Sequence, residues 1–126
     1  MKQITLKIKN EPGALADLCG ALGDKGVNII SIFAGALDSE GLVYIITEDE
    51  KTTEKILRDK KINYRSEEII ELKILDRPGE LAKVARLLAF ERINIQSIFL
   101  LSKEKGVVTL ALRTDDLEKT KEVLKL

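Results

Sequence analysis

The chain reads ITLKIKNEPGAL over residues 4–15 and IELKILDRPGEL over residues 70–81. The similarity continues at the same spacing, so that residues 4–33 and residues 70–99 are identical at 14 of 30 positions. The only two prolines, Pro12 and Pro78, both precede glycine and occupy equivalent places. Self-similarity at a fixed spacing indicates an internal repeat. We therefore expect one structural unit that is used twice, over residues 1–66 and 67–126.

Each copy changes from a strand pattern to a helix pattern at its Pro-Gly pair. Ile4, Leu6 and Ile8 alternate with polar residues, which is typical of a strand with one buried face. Apolar residues then recur at helical spacing, at Leu15, Leu18, Cys19 and Leu22 in the first copy and at Leu81, Val84, Ala85 and Leu88 in the second. Gly26 is predicted to end the first helix in a left-handed conformation. Arg92 stands at the equivalent position and predicts a less favourable helix end.

The remainder of each copy predicts a hairpin and a second helix. The apolar runs 28–36 and 94–101 are each followed by a polar tip with glycine and a second β-rich run, which favours a hairpin. Charged helices are predicted over residues 52–60 and 115–126, and residues 62–66 predict a fourth strand in the first copy only. This order predicts an α+β protein of two ferredoxin-like βαββαβ units, the second of which lacks its final strand.

The junction between the copies leads to a prediction about the sheets. Without a fourth strand in the second copy, the strand over residues 69–75 would present an open edge. Glu67 and Glu68 are enough for a two-residue hairpin. We therefore expect residues 62–66 to lie between the first strands of both copies and to join them in one sheet. The alternative is that a second chain covers the open edge in a homodimer.

Composition excludes several classes of function. The sequence contains 21 basic and 21 acidic residues, so it lacks the positive field that binds nucleic acid or anionic lipid. It contains no apolar run of about 20 residues for a membrane span and no signal peptide at its start. Its three Phe and two Tyr do not supply the stacking surface of an RNA-recognition module. A single cysteine suits a reducing compartment, and we expect a cytoplasmic protein.

Residues suited to catalysis are missing. The chain has no histidine, and histidine is the commonest acid–base group in enzymes. Cys19 belongs to the predicted core stripe and aligns with Ala85, so a buried and inert thiol is expected. No cluster of Cys and His suggests a metal site. Asp115 and Asp116 are expected to cap a helix. We therefore predict no enzymatic activity, no metal and no cofactor.

The turn from the first strand into the first helix is the candidate binding site, at residues 9–15 and 75–81. Glycine allows close approach of the backbone, and the amides at a helix start point outward without intrahelical partners, a geometry that accepts an anion such as a carboxylate. Asn10 or Asp76 could hold an ammonium or amide group. Asn28 and Asn94 lie near the opposite end of the helix and could serve the pocket only across an interface. The alternative is structural, because Pro-Gly commonly starts helices and Asn often satisfies loop backbone.

These residues resemble the ACT domain, the small amino-acid-sensing module of biosynthetic enzymes. The resemblance is carried by NEPGAL with GVNI in the first copy and by DRPGEL with INI in the second, and it covers nearly the whole chain. Stand-alone tandem ACT proteins have this organisation. The resemblance implies an effector site between ACT units, with the loop amides on the ligand carboxylate. The implied ligand-binding residues are Asn10, Glu11, Gly13, Ala14, Leu15, Asn28 and Ile29, together with Asp76, Arg77, Gly79, Glu80, Leu81, Asn94 and Ile95.

Two departures from the family pattern bear on the ligand. Members that sense serine carry a histidine two residues before the loop asparagine, whereas Ile8 and Ile74 stand there in this chain. Asp76 replaces the loop asparagine in the second copy, so the two sites are expected to differ. The resemblance implies a non-enzymatic regulator that binds a small amino acid, with a branched-chain or other apolar one favoured. The implied partners are that amino acid, a second copy in a homodimer and an amino-acid biosynthetic enzyme. The alternative is an oligomerisation module for a partner enzyme that binds no ligand.

Overall fold

The computed structural model describes residues 1–126. The chain folds into two compact units: the first comprises Lys2–Glu67, and the second comprises Glu68–Leu126 and also includes Met1. The first unit contains β1 (Lys2–Lys9), α1 (Ala14–Asp24), β2 (Ile29–Leu37), β3 (Glu40–Thr47), α2 (Glu50–Asp59) and β4 (Tyr64–Glu68). The second contains β5 (Ile70–Leu75), α3 (Glu80–Phe90), β6 (Ile95–Glu104), β7 (Val107–Thr114) and α4 (Leu117–Leu124).

The first unit is a four-stranded sheet in the order β2-β3-β1-β4. β3 pairs antiparallel with both neighbours, and Ile4 lies opposite Ile45 across β1 and β3. The alternating apolar residues of these strands form a core with the inner face of the two helices, whose buried members are Ile4, Leu6, Leu18, Leu22, Val27, Val43, Ile45, Ile56 and Leu57. The βαββαβ order and this sheet order are those of a ferredoxin-like unit.

The second unit repeats this arrangement with three strands in the order β5-β7-β6. β7 is antiparallel to both neighbours, and α4 is the last element of the described chain. Leu72, Leu88, Ile93 and Leu112 form its buried core. The predicted α+β class with two ferredoxin-like units is therefore confirmed.

Helices α1 and α3, the first helix of each unit, end as the sequence predicts. Gly26 has φ 72°, and Val27 N donates to Leu22 O at 3.0 Å across the helix end. Arg92 adopts the same left-handed conformation with φ 59°, and Ile93 N makes the equivalent bond to Leu88 O at 2.9 Å. Arginine is less favourable than glycine in this left-handed conformation, because its Cβ comes too close to the backbone.

The prediction that the fourth strand is shared between both copies is wrong. β4 extends to Glu68, two residues beyond the predicted end, so Glu67 and Glu68 belong to the strand and do not form a turn. Only Ile69 then separates β4 from β5, and a hairpin needs at least two residues to reverse the chain. β4 accordingly pairs with β1, and β5 pairs with β7.

The buried face of α1 is narrower than its apolar spacing predicts. Leu18 and Leu22 are buried, but Cys19 is only half-buried and Leu15 is 38% exposed. In α3, Leu88 is buried and Leu81 is 45% exposed. The expectation of a fully buried Cys19 is therefore wrong, because the sheet covers only the centre of the helical stripe.

A buried pair of threonines recurs in both units and lies outside the part of the repeat that the sequence comparison aligned. Thr47 Oγ1 and Thr53 Oγ1 are 2.8 Å apart, and Thr53 Oγ1 also donates to Asp49 O at 2.8 Å. Thr114 and Thr120 form the same pair at 2.8 Å in the second unit. Each pair ties the last residue of a central strand to the first turn of the following helix.

We predict that Thr53→Val destabilises the protein by about 1–3 kcal/mol, because it leaves the buried Thr47 hydroxyl without a partner. Thr47→Val with Thr53→Val should cost less than the sum of the single changes, since Asp49 O still accepts the amide of Thr53. Urea unfolding of the wild type, both single variants and the double variant measures this coupling. Strict additivity would contradict the proposed role of the pair.

Candidate functional site

Both strand-to-helix turns adopt one backbone conformation that glycine alone enters easily. Gly13 precedes α1 with φ 90° and ψ −17°, and Gly79 precedes α3 with φ 86° and ψ −9°. Both stand at the N-cap, and neither helix has a side-chain cap. A Cβ at either glycine would meet no atom within 4 Å, so the backbone conformation is what requires glycine there.

This turn leaves backbone amides exposed at the start of each helix. In the first unit, Ala14 N donates weakly to Glu11 O at 3.3 Å, but no atom of the chain accepts from the amides of Leu15 and Ala16. In the second unit, Leu81 and Ala82 have the same free amides. Two unpartnered N–H groups at a helix start form a site for an anion. The exposed Leu15 and Leu81 place an apolar surface beside it.

The polar residue before each turn binds the tip of the adjacent hairpin. Asn10 Nδ2 donates to Asp38 O at 2.8 Å, and Asn10 N donates to Ser39 O at 3.0 Å. Asp76 forms an ion pair with Lys103 at 3.1 Å, and its amide donates to Gly106 O at 2.9 Å. These side chains position the loop, and Lys103 compensates the negative charge that distinguishes Asp76 from Asn10.

The second turn carries a charged cluster that the first turn lacks. Glu80 Oε1 accepts from Arg77 Nε at 2.6 Å and from Lys83 Nζ at 3.1 Å. The hydrogen bond from Arg77, followed by that from Lys83, lowers the pKa of Glu80 below its ordinary value. The equivalent residue in the first unit is Ala14. The first turn of α3 therefore holds Glu80 between two cations, whereas the acidic residue in the first turn of α1 is Asp17, at the position of Lys83.

A small cavity of about 200 Å³ adjoins the first turn. Its walls include Leu15, Ile8 and the consecutive small residues Ala34, Gly35 and Ala36 of β2. This volume lies below the ~300–1,000 Å³ of pockets for drug-sized ligands and suits a smaller molecule. In the second sheet, the bulge after Leu100 leaves Leu101 without a counterpart, and the equivalent strand positions hold the larger residues Leu100, Ser102 and Lys103.

A larger groove of about 710 Å³ runs along β1 on the other side of the same loop. Glu11 and Ala14 border it, and its rim combines basic residues such as Lys9, Lys61 and Arg65 with acidic ones. β4 has five residues where β1 has eight, so part of β1 lacks a neighbour on this side. The mixed charges select no particular ligand.

The predicted asparagines lie away from the loops. Helix α1 has 11 residues, about 16 Å at 1.5 Å each, and Asn28 follows its far end. Asn28 Nδ2 donates to Glu48 Oε1 at 3.2 Å, which gives this side chain a structural partner. Asn94 N donates to Asp115 Oδ1 at 2.9 Å. Within one unit, neither asparagine can reach the ligand loop.

The two isoleucines predicted as ligand contacts contribute to the cores. Ile29 begins β2 and packs against the first core, and Ile95 begins β6 and packs against the second. The structure thus brings together Asn10, Glu11, Gly13, Ala14 and Leu15 at one turn and Asp76, Arg77, Gly79, Glu80 and Leu81 at the other. No group of three or more His, Cys, Asp or Glu side chains is placed to hold a metal ion, and no helix has the length and hydropathy to cross a membrane.

Sequence reasoning did not identify two contributors to this region. The small residues Ala34, Gly35 and Ala36 form a cavity wall, and no pattern in the sequence indicates it, because the bulge in β6 shifts the equivalent positions of the second copy. Lys103 is recognisable in the sequence only as part of the polar hairpin tip over residues 103–106. Its pairing with Asp76 depends on tertiary structure, because 27 residues separate them in the sequence.

The fold is thus a tandem of ferredoxin-like units, each with a glycine-led turn at the start of its first helix. The chain belongs to the ACT domain pair family, whose model matches residues 1–126. The predicted resemblance to tandem ACT proteins is confirmed. No curated protein matches the chain.

Solved structures share this fold at low sequence identity. A Bacteroides thetaiotaomicron protein, BT0572, has a TM-score of 0.88 at 23% identity over 98% of this chain and 85% of its own. The aspartate kinase regulatory subunit of Thermus thermophilus has a TM-score of 0.70 at 19% identity over 98% of this chain and 87% of its own. An aspartate kinase of Clostridium acetobutylicum, described as an allosteric enzyme, has a TM-score of 0.66 at 17% identity over 98% of this chain and 32% of its own.

We predict that the Glu80 cluster stabilises the protein only above acidic pH. The pKa of Glu80 is lowered in the folded state, so its contribution is present above the ordinary value of 4.5 and is lost as pH falls through the folded pKa. Wild type should therefore exceed Glu80→Gln in urea midpoint at pH 7, and the difference should shrink progressively as pH falls below 4.5. Glu118→Gln, which removes a looser pair with Lys121 at 3.8 Å, is the matched control. A difference that does not shrink at any pH below 4.5 would show that the stabilisation is not ionic.

Proposed function

We propose that the protein is a non-enzymatic regulatory module that binds a small apolar amino acid at the first turn. Family membership supports a regulatory, amino-acid-binding role. The observation that carries the proposal is the conjunction at one turn of two free amides, at Leu15 and Ala16, with the cavity walled by small residues. The amides bind the carboxylate, and the cavity receives an aliphatic side chain of the branched-chain type.

The two turns differ in ways that favour the first one as the ligand site. At α3, Glu80 stands directly beside the free amides and already holds the two neighbouring cations, Arg77 and Lys83. At α1, Ala14 leaves the space beside the amides unoccupied, and the acidic residues Glu11 and Asp17 flank the turn. Leu100, Ser102 and Lys103 occupy the strand positions at which Ala34, Gly35 and Ala36 wall the first cavity. We therefore assign the binding to the first copy and a structural role to the second turn.

Another ACT unit completes the site in this proposal. The loop is exposed, and Asn28 and Asn94 could approach a ligand only from a different unit. Such an arrangement makes the ligand stabilise an interface, which is how a small molecule regulates an assembly. Consistent with this, two of the structural relatives are an aspartate kinase regulatory subunit and an aspartate kinase described as allosteric. The partner proposed here is likewise an amino-acid biosynthetic enzyme.

A thermal-shift screen against the twenty amino acids, followed by calorimetry, tests the proposal. A ligand present at 100 times its dissociation constant should stabilise the protein by about 2.7 kcal/mol. Apolar branched amino acids should give the largest shifts and aspartate the smallest. No shift with any amino acid would favour the alternative, an oligomerisation module for a partner enzyme that binds no ligand.

We predict that Gly13→Val abolishes amino-acid binding while the fold persists. Valine at φ 90° forces the turn to change, and the amides of Leu15 and Ala16 then lose their alignment. Gly26→Val is the matched control, because Gly26 has φ 72° and equally open surroundings but lies at the far end of α1. Both variants should lose stability, and only Gly13→Val should lose binding in calorimetry.

Two further variants separate the turn from the cavity. Ala34→Leu introduces the residue of the aligned position 100 and should block the cavity without straining any backbone. Gly79→Val alters the second turn and should leave the affinity unchanged if the first copy binds. Full affinity in folded Gly13→Val and Ala34→Leu proteins would refute the assignment of the site.

A further inference from the structure

A cavity of about 380 Å³ lies in the first unit at the junction of α2 and β4. Its lining residues are Arg58, Lys61, Ile62, Asn63 and Tyr64. All of these side chains except that of Ile62 donate hydrogen bonds, and two of them are cations. None is acidic, whereas the larger groove along β1, which shares part of this junction, has acidic residues on its rim. The volume is within the ~300–1,000 Å³ of sites for small molecules.

The sequence at this junction is basic in a chain whose charges balance. Residues 58–65 read RDKKINYR, with four basic residues and one acidic residue, Asp59. The carboxylate of Asp59 is paired with Lys55 Nζ at 3.2 Å, so a cation outside the cavity already compensates it. The junction therefore presents a positive field to an approaching anion.

One hydrogen bond orients two of the donors in the cavity. Arg58 Nη1 donates to Tyr64 Oη at 3.0 Å. Because the phenol oxygen accepts this bond, its own hydrogen is directed to another acceptor. The ring of Tyr64 packs against the first core, which holds the phenol in place. The phenol and the remaining N–H groups of the guanidinium thus form a positioned set of donors.

The other two donors have no partner within the chain, namely the ammonium group of Lys61 and the side-chain amide of Asn63. The end of a helix ordinarily repels an anion, because its last carbonyls carry partial negative charge. At the end of α2, however, the amides of residues 60–62 donate to carbonyls of the last helical turns at 2.9–3.0 Å. These bonds occupy the carbonyls and reduce that repulsion.

We propose that this cavity binds a phosphate group. A phosphate monoester carries a charge of about −2 and three acceptor oxygens, which matches two cations and two neutral donors. The guanidinium of Arg58 has the fork geometry that binds phosphate through two parallel hydrogen bonds. A carboxylate has one charge and two oxygens, so it would leave donors of the cavity unpaired. Ile62 supplies an apolar contact for the organic part of an ester. This binding does not depend on the amino-acid site.

Titration calorimetry at constant ionic strength, without added amino acid, tests the proposal with inorganic phosphate and phenyl phosphate as probes. Wild-type protein should bind at least one of them with a dissociation constant of about 1 mM or tighter. Tighter binding of phenyl phosphate would identify an ester as the ligand, and equal or tighter binding of inorganic phosphate would identify the free ion. Acetate should bind about tenfold more weakly than the better probe.

Two variants remove donors without disturbing the fold. Lys61 has φ 58°, so Lys61→Gly removes the ammonium group and also relieves a left-handed conformation. This variant should raise the dissociation constant about tenfold. Tyr64→Phe keeps the ring in the core and should raise the constant about threefold. Lys125→Gly is the matched control, because Lys125 has φ 57° at the end of α4, and its affinity should equal that of the wild type.

Three results would each overturn the proposal. The first is that neither probe binds to the folded wild type, and the second is that acetate binds as tightly as both probes. The third is that Lys61→Gly and Tyr64→Phe keep the wild-type affinity, or that Lys125→Gly loses as much affinity as Lys61→Gly.

Discussion

The left-handed glycine between the first strand and the first helix is the constraint on which each unit depends. Gly13 and Gly79 allow the chain to leave the sheet and begin a helix across its face without a side-chain cap. The same conformation aims the first amides of the helix away from the chain. A residue with a Cβ would strain this turn even though nothing occupies the space around it. Helix placement and the candidate anion site therefore have one physical cause.

Duplication preserved this backbone, while the side chains around it diverged. Both turns bind the adjacent hairpin. The side-chain amide of Asn10 donates a hydrogen bond to it, and Asp76 forms an ion pair with Lys103. The difference that bears on ligands is steric and electrostatic. Glu80 holds Arg77 and Lys83 at the start of α3, whereas Ala14 stands at its position in α1, where the acidic residue of the first turn is Asp17. Backbone geometry can be inherited as a structural feature, so it does not by itself make both copies binding sites.

Local patterns in the sequence predicted the elements well, and tertiary relations were harder to predict. Alternation in β1 and helical spacing in α1 follow from burial on one face, and both are visible in a single copy. The end of β4 was misplaced because Glu67 and Glu68 resemble a polar turn, although exposed positions of an edge strand are polar too. The threonine pairs and the Asp76–Lys103 contact depend on elements that are distant in sequence. Of the candidate site, the two loops could be predicted, and the cavity wall in β2 could not.

Exposure of the loop limits how strongly it could bind a carboxylate on its own. A carboxylate held by two amides on an open surface competes with water, so its net gain is modest until water is excluded. Closing another unit over Leu15 would exclude that water and bury the leucine at the same time. Ligand binding and unit association would then strengthen each other by the same factor, as linkage requires. An amino acid too polar for the cavity would not strengthen the association of the units. Specificity for the ligand would therefore depend on the interface as much as on the loop.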